Sequence, residues 1–175
     1  MLPRQESLPA VLLLVAWCVG ATAPLSALPG EAAPGADAGF PRSALEIRSA
    51  HGRNWFNVRI ADTEARQELG LMFETRLPGD EGMLFPQPKP RVMSMWMKNT
   101  YIRLDMLFID QRGRIVCLLE DTEPRSLEIL TCDKPVMAVL EIGGGEAARR
   151  HISNGDLVVH LIFGGSRHGL KRLPS

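Results

Sequence analysis

The sequence predicts a mainly β fold of the α+β class, a compact antiparallel β-barrel or sandwich-like domain with two short helices. Three observations predict it. Apolar and polar residues alternate over short runs, as where Phe56, Val58 and Ile60 are interleaved with Asn57 and Arg59. Turn residues recur at short intervals, at Pro78-Gly79-Asp80, Asp110-Gln111-Arg112-Gly113 and Asn154-Gly155. Helical patterning is confined to two brief stretches, after Asp62 and after Gly145.

The elements follow in order. Residues 56–60 alternate as a half-buried strand. Asp62 is placed to cap a short helix from Thr63 to Leu69, with Glu64 in its first turn and Gly70 to end it. Gly82 to Phe85 is a short apolar strand, stopped by Pro86, Pro88 and Pro90. Val92 to Met97 is another. Leu104 to Ile109 and Arg114 to Glu120 form a hairpin across the loop Asp110 to Gly113. Met137 to Ile142 is a further strand. A second helix runs from Glu146 to Ile152 after three glycines, and Leu157 to Phe163 closes the domain as a strand.

Outside this domain, placed at residues 44–164, the chain changes character. Val11 to Val19 is an apolar run with Arg4 upstream and Ala21-Thr22-Ala23 downstream. It is shorter than the about 20 residues that span a bilayer and suits the apolar core of a signal peptide. Residues 1–23 are therefore expected to be a signal peptide, with an uncleaved membrane anchor as the alternative. The protein is expected to be periplasmic or secreted, touching a membrane only through this segment. Cys18 invites a lipoprotein reading, against which stands the bulk of Trp17. Residues 24–43 read as a Pro/Ala/Gly-rich linker and 165–175 as a short basic tail.

Twenty basic residues balance twenty acidic ones. Without a basic footprint to hold phosphates, no nucleic-acid partner is expected. In an oxidising compartment Cys117 and Cys132 either form a disulfide, worth ~3 kcal/mol by restricting the unfolded chain, or stay separate buried thiols. Sequence does not show whether their Cβ atoms meet.

Several blocks carry a resemblance. Gly70-Leu71-Met72, Gly82-Met83-Leu84-Phe85, Trp96-Met97-Lys98-Asn99-Thr100, Leu104-Asp105, Phe108-Ile109-Asp110, Val139-Leu140-Glu141 and Gly155-Asp156 occur in this order. Over residues 45–162 the chain resembles the DUF192 (UPF0127) family of small proteins. The resemblance implies a compact, mostly β, barrel-like domain, often exported in bacteria. It implies no activity. Two positions depart from the family pattern: Arg103 replaces the usual proline before Leu-Asp, and Met95 the usual aromatic before Trp.

Residues 96–105 also concentrate chemistry. Trp96, Met97, Lys98, Asn99, Thr100 and Asp105 place an indole, a thioether, an ammonium, an amide, a hydroxyl and a carboxylate close together, with apolar runs on both sides. Asp105 shares a strand face with Leu107 and Ile109 and must be paired or hydrogen-bonded to be buried there. It either joins Lys98 at a pocket or accepts N–H bonds from the Lys98-Asn99-Thr100 turn. Trp96 is either core or a stacking platform, and Arg66 either a carboxylate clamp or a surface residue. Met93, Met95 and Met97 alternate and form a minor Cu(I) candidate, against the plainer reading as core filler. The four histidines, His51, His151, His160 and His168, lack ligand spacing, and no metal or other cofactor is expected. Gly143-Gly144-Gly145 can offer N–H groups to an anion, and Glu120 and Glu141 can pair as carboxylates across strands.

Three functions compete: a binding module for a small polar or carbohydrate-like ligand at Trp96–Thr100 and Asp105, an acid–base enzyme using Lys98 and Asp105, and a protein-interaction domain whose polar motif is structural.

Overall fold

The computed structural model describes residues 39–164. The expected signal segment, lipidation at Cys18, most of the linker and the basic tail with His168 lie outside the described residues. Nine strands form: β1 (Arg42–Ser49), β2 (Gly52–Ile60), β3 (Glu81–Arg91), β4 (Ser94–Met95), β5 (Leu104–Ile109), β6 (Ile115–Thr122), β7 (Leu130–Thr131), β8 (Val136–Gly143) and β9 (Leu157–Val159). Two short helices, α1 (Glu64–Leu69) and α2 (Glu146–Arg149), and a 3-10 turn (Leu161–Phe163) complete them. The mainly β class with two short helices is the fold.

Seven strands make one sheet in the order β6-β5-β8-β3-β2-β1-β9, and β4 pairs with β7 in a small second sheet. The large sheet curls into a half-barrel. Its outer strands meet at one end, where Arg114 bridges Leu157 and Val158 N–H donates to the Gly113 carbonyl at 2.7 Å. Gly113 has φ +79°, and a Cβ there would lie 2.5 Å from the Val158 carbonyl oxygen. The hairpin can therefore reach the far strand only with glycine at this position.

Every named pair in the large sheet is antiparallel except β2–β3. A parallel pair needs a crossover, and residues 61–80, which include α1, supply it. β8 lies between β3 and β5 although it follows both in sequence, so residues 92–103 must cross it. Both connections run over the same face of the sheet.

The sheet carries a core on each face. Leu45, Ile47, Phe56, Val58, Leu107, Leu140 and Ile142 fill one face, together with Ala147 of α2. Met83, Phe85, Met97, Leu104, Met106, Phe108 and Val139 fill the other, under the two crossovers. The hydrophobic effect drives both clusters.

Several local expectations need correction. β3 continues through Pro86, Pro88 and Pro90 to Arg91, with an irregular register after Pro86. Leu84 accepts from Ala61 N–H, so even-numbered residues of β3 turn their backbone groups toward β2. The ladder to β2 ends at Ile60↔Leu84, and the three prolines lack N–H groups only where no strand needs them. Thr63, not Asp62, caps α1, its side chain accepting from Arg66 N–H at 3.3 Å. The strand expected at 92–97 shrinks to Ser94–Met95, α2 is a single turn, and β9 stops at Val159. Arg42–Ser49 is a strand that sequence reading did not assign.

Cys117 and Cys132 form a disulfide, their Cα atoms 6.2 Å apart. It ties β6 to the segment after β7. His160 is buried, with Nε2 at 3.0 Å from Ser43 Oγ, and burial lowers its pKa. His51 and His151 bring their rings within 4.9 Å at the surface.

Candidate functional site

The two crossovers leave a cavity of about 120 Å³ between them, above β8. α1 and the following turn contribute Gln67, Glu68, Leu71 and Met72, while the second crossover contributes Met93, Met95, Trp96, Lys98 and Thr100. Arg91 and Phe85 of β3 and Glu141 of β8 complete the part that carries chemistry. This is room for several waters or a small molecule of similar size.

Glu141 is the unusual residue. Register places it between Met83 and Met106 on neighbouring strands, and it is only 4% exposed. Among the described residues its carboxyl has no hydrogen-bond partner. Burial among thioethers pushes its pKa up to about 8, although the nearby Arg59 guanidinium pulls the other way. At neutral pH it is a neutral acid that can both donate and accept at the cavity wall. Arg59 itself is buried and pairs with Glu74 at 2.6 Å.

Alternation divides the Trp96–Thr100 block. Trp96, Lys98 and Thr100 line the cavity, while Met97 and Asn99 hold the loop in place. Met97 is fully buried, its sulfur 3.2 Å from the Thr122 hydroxyl. Asn99 takes φ +57°, accepts from Phe73 N–H at 2.8 Å and turns its amide toward the Met72 sulfur. Lys98 Nζ sits 4.9 Å from the centre of the Trp96 ring, a cation–π contact at the rim. Trp96 is 45% exposed, so it is not a core residue.

Asp105 lies elsewhere. It faces Ile142 rather than Glu141 across β5–β8, on the opposite side of the sheet from the cavity. It is fully buried. Oδ1 accepts from Asp121 N–H at 2.8 Å and Gly145 N–H at 3.0 Å, and Oδ2 from Ala147 N–H at 2.8 Å. The carboxylate thus joins β6, the glycine turn and α2. Gly145, at φ +79°, caps α2. The glycine run does offer N–H groups to an anion, and the anion is Asp105. Asp105 meets neither Lys98 nor the Lys98-Asn99-Thr100 turn, because its partners come from the other face.

Arg66 is also occupied by the fold, bonding Asp62 and the Gly39 carbonyl at 2.5 Å each. Of the methionine trio, Met93 and Met95 line the cavity and Met97 lies in the core. Glu120 is exposed on β6 and does not line the cavity with Glu141. No cluster of three or more His, Cys, Asp or Glu side chains able to hold a metal occurs among the described residues.

A family model for DUF192, described as "Uncharacterized ACR, COG1430", matches residues 46–160. The chain belongs to the DUF192 family. Two solved structures share its fold and much of its sequence. A Sinorhizobium meliloti 1021 protein, provisionally described as a transcription regulator, is 35% identical with a TM-score of 0.68, over 70% of this chain and 96% of its own. A protein of unknown function from Novosphingobium aromaticivorans DSM 12444 is 36% identical with a TM-score of 0.69, over 72% and 90%. No curated protein matches the chain.

DUF192 motifs therefore divide between two duties. Leu104-Asp105 builds the scaffold, and Trp96–Thr100 faces the cavity at alternate positions. Sequence alone undervalues Glu141, which lies in the Val139-Leu140-Glu141 block and there suggests only a partner for Glu120. One signal was available: a lone glutamate between apolar residues in a strand with no nearby cation. Arg91 and Gln67 gave no such signal, because each reads as an ordinary surface residue.

Proposed function

We propose that this DUF192 domain is a binding module for a small polar ligand, seated in the cavity between the two crossovers. The observation that carries the reading is Glu141, a buried carboxyl with no hydrogen bond from the described residues, on the wall of a cavity. The carboxyl opens into the cavity rather than being sealed in protein, so a ligand there can take up its hydrogen-bonding capacity. Trp96, Lys98 and Thr100 supply an aromatic edge, a cation and a hydroxyl around it. Asp105 is not part of this site.

The domain works outside the cytoplasm in this reading, supported by the signal-like N-terminal sequence and the Cys117–Cys132 disulfide. The balanced charge favours no nucleic-acid role such as the description of the S. meliloti relative suggests.

Thermal unfolding of the intact chain against a panel of sugars, amino acids, carboxylates and amines tests the proposal. A ligand at a hundred times its Kd adds about 2.7 kcal/mol, a shift of several degrees. The expected result is at least one compound whose shift disappears in Trp96→Ala or Lys98→Met. Shifts that both variants retain, or no shift from any class, would count against the cavity as a binding site.

A further inference from the structure

Arg91 and Lys98 line the same cavity as Glu141, and among the described residues neither forms an ion pair. Lys98 is held at the rim by Trp96. Glu68, on the exposed side of α1, lines the same cavity. The remaining polar capacity is small. The Gln67 amide nitrogen already donates to the Ala61 and Pro86 carbonyls at 3.1 Å each. The Thr100 hydroxyl donates to the Lys98 carbonyl at 3.4 Å. Leu71, Phe85, Met72, Met93 and Met95 give the otherwise polar wall an apolar part.

Building on the binding-module reading, we propose that the cavity takes a small monocarboxylic acid as its anion. The ligand carboxylate lies between Arg91 and Lys98 and accepts a hydrogen bond from the Glu141 carboxyl, and its carbon chain packs on Leu71, Phe85 and Met93. The chemistry selects this class. An amine would approach two unpaired cations. An uncharged sugar would leave Arg91 and Lys98 without a counter-charge. Counting the Glu68 carboxylate against the two cations leaves one net positive charge, which a monoanion balances and a phosphate dianion exceeds. Shared between two carboxyl groups, a single proton makes a short, charge-assisted bond.

The proposal has a pH signature. A bound carboxylate beside Glu141 opposes its ionisation, so affinity falls as Glu141 loses its proton. The charged groups around Glu141 are Arg59 of β2 with its partner Glu74, Glu68 of α1, Arg91 of β3 and Lys98 of the second crossover. The Gln variant keeps an N–H donor at position 141 and removes only that proton.

Titration calorimetry of the intact, disulfide-bonded chain with butyrate, butyramide, n-butylamine and glucose separates the possibilities. Butyrate is expected to bind, and the other three are not. Its affinity is expected to drop roughly tenfold between about pH 6.5 and pH 9, a dependence that Glu141→Gln removes while still binding. Arg91→Met and Lys98→Met are each expected to weaken butyrate several-fold. Butyramide binding as tightly as butyrate would overturn the proposal, since charge would not be read. Binding of n-butylamine or glucose without butyrate would overturn it and leave the binding-module reading standing. If none of the four binds, the carboxylate proposal falls, and the wider thermal panel decides separately whether the cavity binds anything.

Discussion

Asp105→Asn is expected to destabilise the domain by about 3 kcal/mol, measured by urea unfolding of the intact chain near neutral pH. The substitution keeps shape and volume but exchanges one acceptor oxygen for an NH2 donor. Two carboxylate oxygens now receive three backbone N–H groups. With the amide nitrogen at the Oδ2 position, Ala147 N–H faces a donor. With it at Oδ1, both Asp121 and Gly145 do. Either way a buried N–H loses its partner, and the remaining bonds lose charge assistance. The damage falls on α2, the glycine turn and the end of β6 that Asp105 joins, away from the cavity. An unchanged stability would mean that the three bonds are worth little, and the scaffold role of Asp105 would have to be abandoned.

Glu141→Gln is expected to act in the opposite direction. An ordinary glutamate ionises near 4.5, whereas folding holds Glu141 protonated up to about 8. Below 4.5 both folded and unfolded chains carry the proton, and the residue adds no pH dependence. Between the two values the unfolded chain releases a proton that the folded chain keeps, so stability falls as pH rises through this window. Above 8 the folded chain ionises as well, and the loss levels off. The Gln variant should therefore be about 4 kcal/mol more stable than wild type near pH 8 and within about 1 kcal/mol of it near pH 4. Denaturant titrations at the two pH values provide the check. A polar group kept at the expense of stability is the usual mark of a functional site. If the variant were less stable than wild type at pH 8, Glu141 would be a structural anchor like Asp105.

Sequence and structure agree most closely where periodicity is strong. Leu104 to Ile109 has the same bounds in both, with its two faces assigned to the two cores as alternation requires. The hairpin loop at Asp110–Gly113 and the helix after Asp62 were equally legible, since Gly and capping residues mark them. Arg42–Ser49 was not, because its outer positions are charged. The passage of β3 through three prolines was not, because only topology shows that no strand lies on that side. At the site, sequence located the Trp96–Thr100 block, but it joined the block to Asp105, which lies on the other face of the sheet. Asp105 is six residues from Asn99 and Glu141 far more distant, so chain proximity favoured Asp105. The deciding fact is which face of the sheet each residue occupies, and that depends on β8 inserting between β3 and β5.

The most direct measurement is the titration of the Glu141 carboxyl by carbon-detected NMR, assigned by comparison with Glu141→Gln. A midpoint near 8, with the resonance unchanged through the range where ordinary glutamates ionise, is the expected result. A midpoint near 4.5 would contradict the central claim. Glu141 would then be a solvated or paired carboxylate, and the cavity would hold no buried acid awaiting a ligand.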